Sequence, residues 1–288
     1  MKKIHTRWAR FDEEHVLRHI WEKVFRSADD ELFFRNYFEQ SMCLTALFDD
    51  EPAAAGYLLP VGNYRFGERK IPCAMIYAVA TLPEHRRQGY GSEVVRELLS
   101  AGHRAGFPVI VICPSSDGLF EYYSKHSGFR DWFYLSELSY RSPLPVTACA
   151  GITEIDASEY MLLRDAALVG IPHIEMDKQS LEYQILLSKQ YGGGLYHFAT
   201  TNGAACAVVE VSQEGIVWIK EFLSHRDSQN EVLAAIANHW PATEYCVRFP
   251  AQGPGPGVRR FGMISALNGF FDSLLAENVY PWYGLAFD

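Results

Sequence analysis

The loop His85-Arg86-Arg87-Gln88-Gly89-Tyr90-Gly91 puts cations beside bare glycines, between an apolar run that ends at Pro83 and a helical pattern that starts near Ser92. A helix start leaves backbone N–H groups unpaired and carries the positive end of the helix dipole. Gly89 and Gly91 remove side chains, so an anion can approach the backbone closely. Arg86 and Arg87 add charge, and a guanidinium can engage a phosphate through two parallel hydrogen bonds. The chemistry that fits is phosphate binding. The Walker pattern requires a lysine that this loop lacks. The dinucleotide fingerprint requires Gly or Ala where Val94 stands. The competing reading is a plain strand-to-helix turn with a solvated arginine pair.

Other residues compete less well for chemistry. His15 and His19 lie four apart and could share one helix face, but no third metal ligand accompanies them and HExxH is absent, so no metal is expected. Six cysteines (Cys43, Cys73, Cys113, Cys149, Cys206, Cys246) are widely spaced with no C-x-x-C pair. Most sit in apolar runs and read as small buried hydrophobes in a reducing compartment. Cys113 ends the run "VIVIC", where a covalent acyl-enzyme is conceivable and a buried structural thiol is the simpler reading. Asp29, Asp30, Glu31 and the terminal carboxylate of Asp288 are candidate bases, with no ground for choosing among them.

The elements that must position these groups can be read from periodicity. "DEEHVLRHIWEKVF" (12–25) places apolar doublets every four residues, a helix with Asp12 as its cap. "DDELFFRNYF" reads as a second helix, followed by strand, turn and strand through "MCLTALF", "DDEP" and "AAAGYLLPV". "CAMIYAVATL" (73–82) is a strand buried on both faces. A helix from Ser92 to Ala105, the strand "PVIVICP" and a helix over 117–126 follow, with stops at Gly106 and Gly128. "RSPLPVTACAG" (141–151) is a natural junction. Beyond it the order recurs weakly. Helices fall at 156–168 and 180–190, a hairpin turns at Asn202-Gly203, and "GIVWIKEFL" takes the place of the buried strand. A helix at 229–239, the strand "EYCVRF", a loop "GPGPG" and a closing strand "YPWYGLAFD" complete the chain. The expected class is α/β, an α+β mixed sheet in two tandem units divided at 141/142.

Composition supports two well-packed domains: 288 residues, 48% hydrophobic and 14% aromatic. The net charge of −9 argues against a nucleic-acid partner. Residues 1–141 carry 18 Lys+Arg against 19 Asp+Glu, whereas residues 142–288 carry 8 against 16. That acidic second half suits a cationic acceptor, although it can also serve only solubility. No apolar signal core and no membrane-length run is present, so a cytoplasmic protein without a membrane partner is expected. A homo-oligomer is compatible with the sequence.

Two motifs in order carry a family resemblance. Arg86-Arg87-Gln88-Gly89-Tyr90-Gly91 follows a strand ending in "VATLPEH", and "PSSDGLFEYYSKHSGF" lies downstream. Together they resemble the acetyl-coenzyme A signature, [QR]-x-x-G-x-[GA], and the closing segment of the GNAT acetyltransferase superfamily. A complete unit followed by one without the signature resembles the enhanced-intracellular-survival (Eis) type, without that type's C-terminal sterol-carrier-like domain. The resemblance implies acetyl transfer from acetyl-coenzyme A to an amine of a small or peptidic acceptor by direct attack. It assigns the pantetheine arm and thioester oxygen to backbone groups of Val79, Ala80 and Thr81, and the pyrophosphate to Arg86, Arg87, Gln88, Gly89, Tyr90, Gly91 and Ser92. It assigns the proton for the leaving thiolate to Tyr123, with Tyr122 as the alternative one residue away. The second unit has no glycine from Ser224 to Asn238. It is expected to bind no coenzyme and to serve as a wall of the acceptor pocket. The class to be distinguished from an enzyme is a coenzyme A-binding sensor or scaffold.

Overall fold

The computed structural model describes residues 4–25, 30–38, 42–142, 150–253, 255, 257–267 and 280–288. It divides into two compact units that are not contiguous in sequence. The first gathers residues within 1–64, 70–132 and 262–278, and the second those within 65–69, 133–261 and 279–288.

The first unit begins with β1 (His5–Trp8), α1 (Glu14–Phe25), α2 (Asp30–Asn36), β2 (Cys43–Phe48) and β3 (Glu51–Phe66). β4 (Arg69–Thr81), α3 (Tyr90–Arg104), β5 (Val109–Ile112) and α4 (Asp117–Ser127) follow. The doublets of α1 bury Leu17, Ile20 and Trp21 as the period requires. Its cap differs from expectation. A 3-10 turn (Phe11–Glu13) precedes the helix, and the Glu13 carboxylate, not Asp12, accepts the Arg10 N–H at 2.7 Å. Gly106 at φ +94° and Gly128 at φ +70° end their helices in the left-handed conformation that the sequence assigned to glycine. Within this unit β1 to β5 lie side by side in order. β4 and β5 are parallel and joined through α3, a βαβ crossover. The far edge of β5 is covered by the last residues of β13 (Val258–Ala266), antiparallel, with Met263 opposite Ile112. The core joins Ala46, Leu58, Ala74, Ile76, Val94, Val95, Leu98, Ile110 and Phe120.

The second unit holds β6 (Arg130–Arg141) from Phe133 onward, β7 (Gly151–Glu154), α5 (Ala157–Ala167), β8 (His173–Glu175) and α6 (Lys178–Gln190). β9 (Gly194–Thr200), β10 (Gly203–Val211), β11 (Ile216–Leu223), α7 (Gln229–His239) and β12 (Glu244–Pro250) follow. Its strands run β6-β12-β11-β10-β9-β7. β11 and β12 repeat the parallel crossover through α7. Asp156 caps α5 through Ser158 and Glu159 N–H groups. The hairpin forms one residue earlier than expected. Thr200 pairs with Gly203, so the loop is Thr201-Asn202.

The division at residue 141 differs from the structural units. The chain passes from the first unit to the second within β6, and back within β13. Each unit's sheet is thus completed by a strand from the other half of the sequence, a long-range pairing that no local pattern reports. The expected closing strand also differs: residues 283–288 form no strand, and Trp282 makes a single bridge to His173. Burial of Trp282, Tyr283, Leu285, Ala286 and Phe287 explains the apolar pattern without a ladder. Among the described residues no helix is long and apolar enough to cross a membrane.

Candidate functional site

The site is built where the β4–β5 ladder stops. Its parallel register runs only through Cys73–Val109, Ala74–Ile110 and Met75–Val111. β4 then continues to Thr81 without β5 as a neighbour, with Ala78 in the left-handed region at φ +47°. A non-glycine residue there is strained, and it marks where β4 departs from its neighbour. Val79 and Thr81 line a cleft of about 1030 Å³, while Ala80 between them is 3% exposed and turns its methyl away. The backbone of Val79, Ala80 and Thr81 therefore follows the open end of the ladder.

After Thr81 a 3-10 turn (Pro83–His85) leads into the glycine loop. Arg87 at φ +62° and Gly89 at φ +94° supply the left-handed steps that turn the chain into α3. Glu93 N–H bonds the Gly89 carbonyl at 3.0 Å, so the amides of Tyr90, Gly91 and Ser92 are left as the open donors of the helix start. A β-carbon on Gly91 would lie 3.2 Å from Thr81 Oγ1, so the loop is close-fitted around a bare backbone. Arg86 Nε donates to Thr81 O at 3.2 Å and Gln88 Nε2 to Glu84 O at 3.2 Å, which fold these side chains over the loop. Arg87 is exposed and has no carboxylate partner among the described residues. All seven residues from Arg86 to Ser92 line the cleft. The composition of the seat fits an anion: open amides, two guanidinium groups and no side chain at either glycine.

α4 forms another wall through Leu119, Tyr122, Tyr123 and His126. Tyr123 is 6% exposed and packs in the core, with its ring 6.3 Å from Phe129. Burial, and then the neighbouring Tyr122, push its phenol above the ordinary tyrosine range. No hydrogen bond to its hydroxyl is formed among the described residues. The Tyr122 hydroxyl, in contrast, is 2.5 Å from Ser92 Oγ. The structure thus brings every assigned residue except the Ala80 side chain to one cleft.

Sequence reading missed Ile4, Val24, Phe25, Ser115, Leu119 and His126, which also line it, as does His85 of the loop. Leu119, Tyr122, Tyr123 and His126 fall at spacings of three and four on α4, a signal that could have found two of them. Of the candidate bases, Asp29 lies outside the described residues. Asp30 pairs with Arg18 at 3.5 Å and, like Glu31, does not line the cleft. Asp288 belongs to the second unit, where Lys220 Nζ donates to its main-chain oxygen at 2.5 Å and Arg248 Nη1 to its side chain at 2.7 Å. Glu93 lines the cleft but is ion-paired with Arg96. Cys113 does not line it. His15 and His19 join no metal-holding group among the described residues.

The corresponding place in the second unit is filled by protein. α7 also follows its strand through a 3-10 turn, Arg226–Ser228. Ser228 Oγ accepts from Thr200 Oγ1 at 2.9 Å and Asn202 Nδ2 at 3.0 Å. Glu231, in the first turn, accepts the Thr201 N–H at 3.0 Å. The Thr201 hydroxyl and amide hold that carboxyl below its usual range. A fixed negative charge thus stands where the first unit offers open amides.

Residues 5–129 match the model of the acetyltransferase (GNAT) domain. A comparison with curated proteins gave no significant match. Among solved structures, a GCN5-related N-acetyltransferase from Kribbella flavida superposes with a TM-score of 0.71 at 15% identity, covering 92% of this chain and 71% of that one. A GCN5-related N-acetyltransferase from Anabaena variabilis gives 0.70 at 16% identity, with 92% and 73% covered. Eis1 from Mycobacterium abscessus gives 0.61 at 12% identity, with 92% and 74% covered. These likenesses establish a shared fold over nearly the whole chain. Residues 5–129, which hold nearly all of the cleft lining, are similar to the GNAT acetyltransferase domain.

Proposed function

We propose that the protein transfers acetyl from acetyl-coenzyme A to the amine of a small or peptidic acceptor, with one coenzyme seat per chain, in the first unit. The observation that carries this reading is the meeting of the open α3 amides and the open end of β4 in one cleft. Bound there, acetyl-coenzyme A supplies an acetyl group activated as a thioester. The amides of Tyr90, Gly91 and Ser92, with Arg86 and Arg87, hold the pyrophosphate. Backbone groups of Val79, Ala80 and Thr81, beyond the end of the β4–β5 ladder, hold and orient the pantetheine arm.

Tyr123 donates the proton that the leaving thiolate requires. An ordinary phenol gives a proton to an ordinary thiolate at a cost of roughly 2 kcal/mol. Burial makes the Tyr123 phenol a weaker acid, and the same dry surroundings make a thiolate more avid for the proton. The acceptor must be neutral to attack. With a lysine-like pKa of about 10.4, roughly one amine in 2,500 is neutral at pH 7. The acidic balance of residues 142–288 supports a cationic acceptor.

Calorimetric titration with acetyl-coenzyme A should give one site per chain, and Gly89→Asp should abolish it. That substitution adds a β-carbon at φ +94° and a negative charge at the seat. Undiminished affinity would remove the phosphate-loop reading, and two sites per chain would contradict the filled α7 start. Free thiol released with a panel of amines separates an enzyme from a coenzyme sensor.

A further inference from the structure

Tyr122 lies on α4, and its ring centroid is 4.9 Å from that of His126. Its hydroxyl sits 2.5 Å from Ser92 Oγ, and either oxygen can be the donor. Ser92 is the third residue of α3. A β-carbon on Gly91 would lie 3.7 Å from the Tyr122 hydroxyl oxygen and 3.2 Å from Thr81 Oγ1. Hydroxyls from β4, α3 and α4 therefore gather around the bare backbone of Gly91, in the cleft that Arg86 and Arg87 also line.

Proton counting limits what this pair can do. Ser92 and Tyr122 own one hydroxyl proton each. One of the two occupies the bond between them, and the other is left to point elsewhere. The open amides of the α3 start lie at the same place, so an anion held by them would meet that second proton. A Tyr122 proton spent on Ser92, or on the anion, is not one delivered to a thiolate.

We propose that Tyr122 and Ser92 act together as one hydroxyl donor to the coenzyme pyrophosphate, so that Tyr122 is a binding residue that fixes α4 against the phosphate loop. The assignment rests on the coenzyme reading above. It gives the two adjacent tyrosines separate roles, with Tyr122 gripping the phosphate end and Tyr123 keeping its hydroxyl for the thiolate. The rival is a structural tie between α3 and α4 that touches no ligand.

The test uses the full chain and its Tyr122→Phe, Ser92→Ala and double variants, titrated with coenzyme A and with pantetheine, which lacks the pyrophosphate. Each single variant should weaken coenzyme A by about 10-fold to 100-fold, the scale of a lost hydrogen bond to a charged group, and leave pantetheine unchanged. The double variant should be little worse than the worse single one, as for a coupled pair. In turnover the loss should fall on KM for acetyl-coenzyme A with kcat kept. Unchanged coenzyme A affinity in Tyr122→Phe, equal weakening of both ligands, or a loss confined to kcat would each overturn the assignment. If Tyr122→Phe fails to fold, Ser92→Ala at a half-buried position carries the same outcomes. An unmodified chain that binds no coenzyme A would overturn the coenzyme reading itself, whereas binding that ignores both variants sinks only the role of the hydroxyl pair.

Discussion

At the scale of single residues, the chemistry turns on hydroxyl groups one position apart on α4. Tyr123→Phe keeps the ring against Phe129 and removes only the proton donor. Coenzyme affinity should hold, while kcat and kcat/KM fall together by about 100-fold or more, the usual loss for a general acid. Stopped-flow or steady-state thiol release with a good amine measures both. Full turnover in Tyr123→Phe would mean that water or the acceptor protonates the thiolate. The contrast with Tyr122→Phe is informative because the rings touch, 5.3 Å apart, and a general packing defect would affect both variants alike.

At the scale of elements, the two crossovers show how one design is kept and emptied. Both units join parallel strands through a helix that starts after a 3-10 turn. In the first, glycines leave the α3 start open. In the second, the β9–β10 loop and Glu231 close the α7 start. The second unit also holds a buried ion pair: Arg164 and Glu221 are 2.9 Å apart with side chains 1% and 0% exposed. Tyr160 and Trp282 donate to the same carboxylate, and Arg164 donates to the carbonyls of Ile174 and Tyr283. The network ties α5, β8, β11 and the C-terminal segment of the unit together. Arg164→Met should cost about 3–5 kcal/mol in a urea or thermal melt, because it leaves a charge buried without its partner. Adding Glu221→Leu should recover part of that loss and not all, since the Tyr160 hydroxyl and the Trp282 indole N–H lose their acceptor. A single variant as stable as the parent would show that water reaches Glu221.

At the scale of the whole molecule, stability should depend on acid through His173. Its side chain is buried, Nδ1 is 2.7 Å from the Ile171 carbonyl, and Nε2 has no partner among the described residues. Burial, then the Arg164 charge, lower its pKa to about 4. The unfolded chain takes up this proton near pH 6.5 and the folded chain only near 4. Folding is therefore unaffected by this group above pH 6.5. It is destabilised progressively below that pH, by about 3 kcal/mol once pH reaches 4. His173→Asn keeps a donor near Nδ1 and removes the titration. Urea midpoints at pH 7 and pH 4.5 should then fall less in the variant than in the parent. Equal falls would show that His173 is protonated without penalty.

Local structure is the part of this protein that can be read from its residues alone. The phosphate loop, the helices that bracket it and their glycine stops are legible because each depends on residues within one or two turns. The absence of glycine after β11 was equally legible. It took the structure to show that Thr200, Thr201, Asn202, Ser228 and Glu231 fill the space. The Glu13 cap was missed for the opposite reason. Asp12 and Glu13 are both plausible by type, and only backbone geometry chose between them. The remainder was settled by tertiary contacts. They ended the β4–β5 ladder at Met75, turned Tyr122 to Ser92 and Tyr123 into the core, and carried β6 and β13 from one unit to the other. Those outcomes depend on pairings between residues about thirty to more than a hundred positions apart. Alternating patterns give a strand's faces but not its neighbour, because every strand offers the same backbone donors and acceptors to any partner.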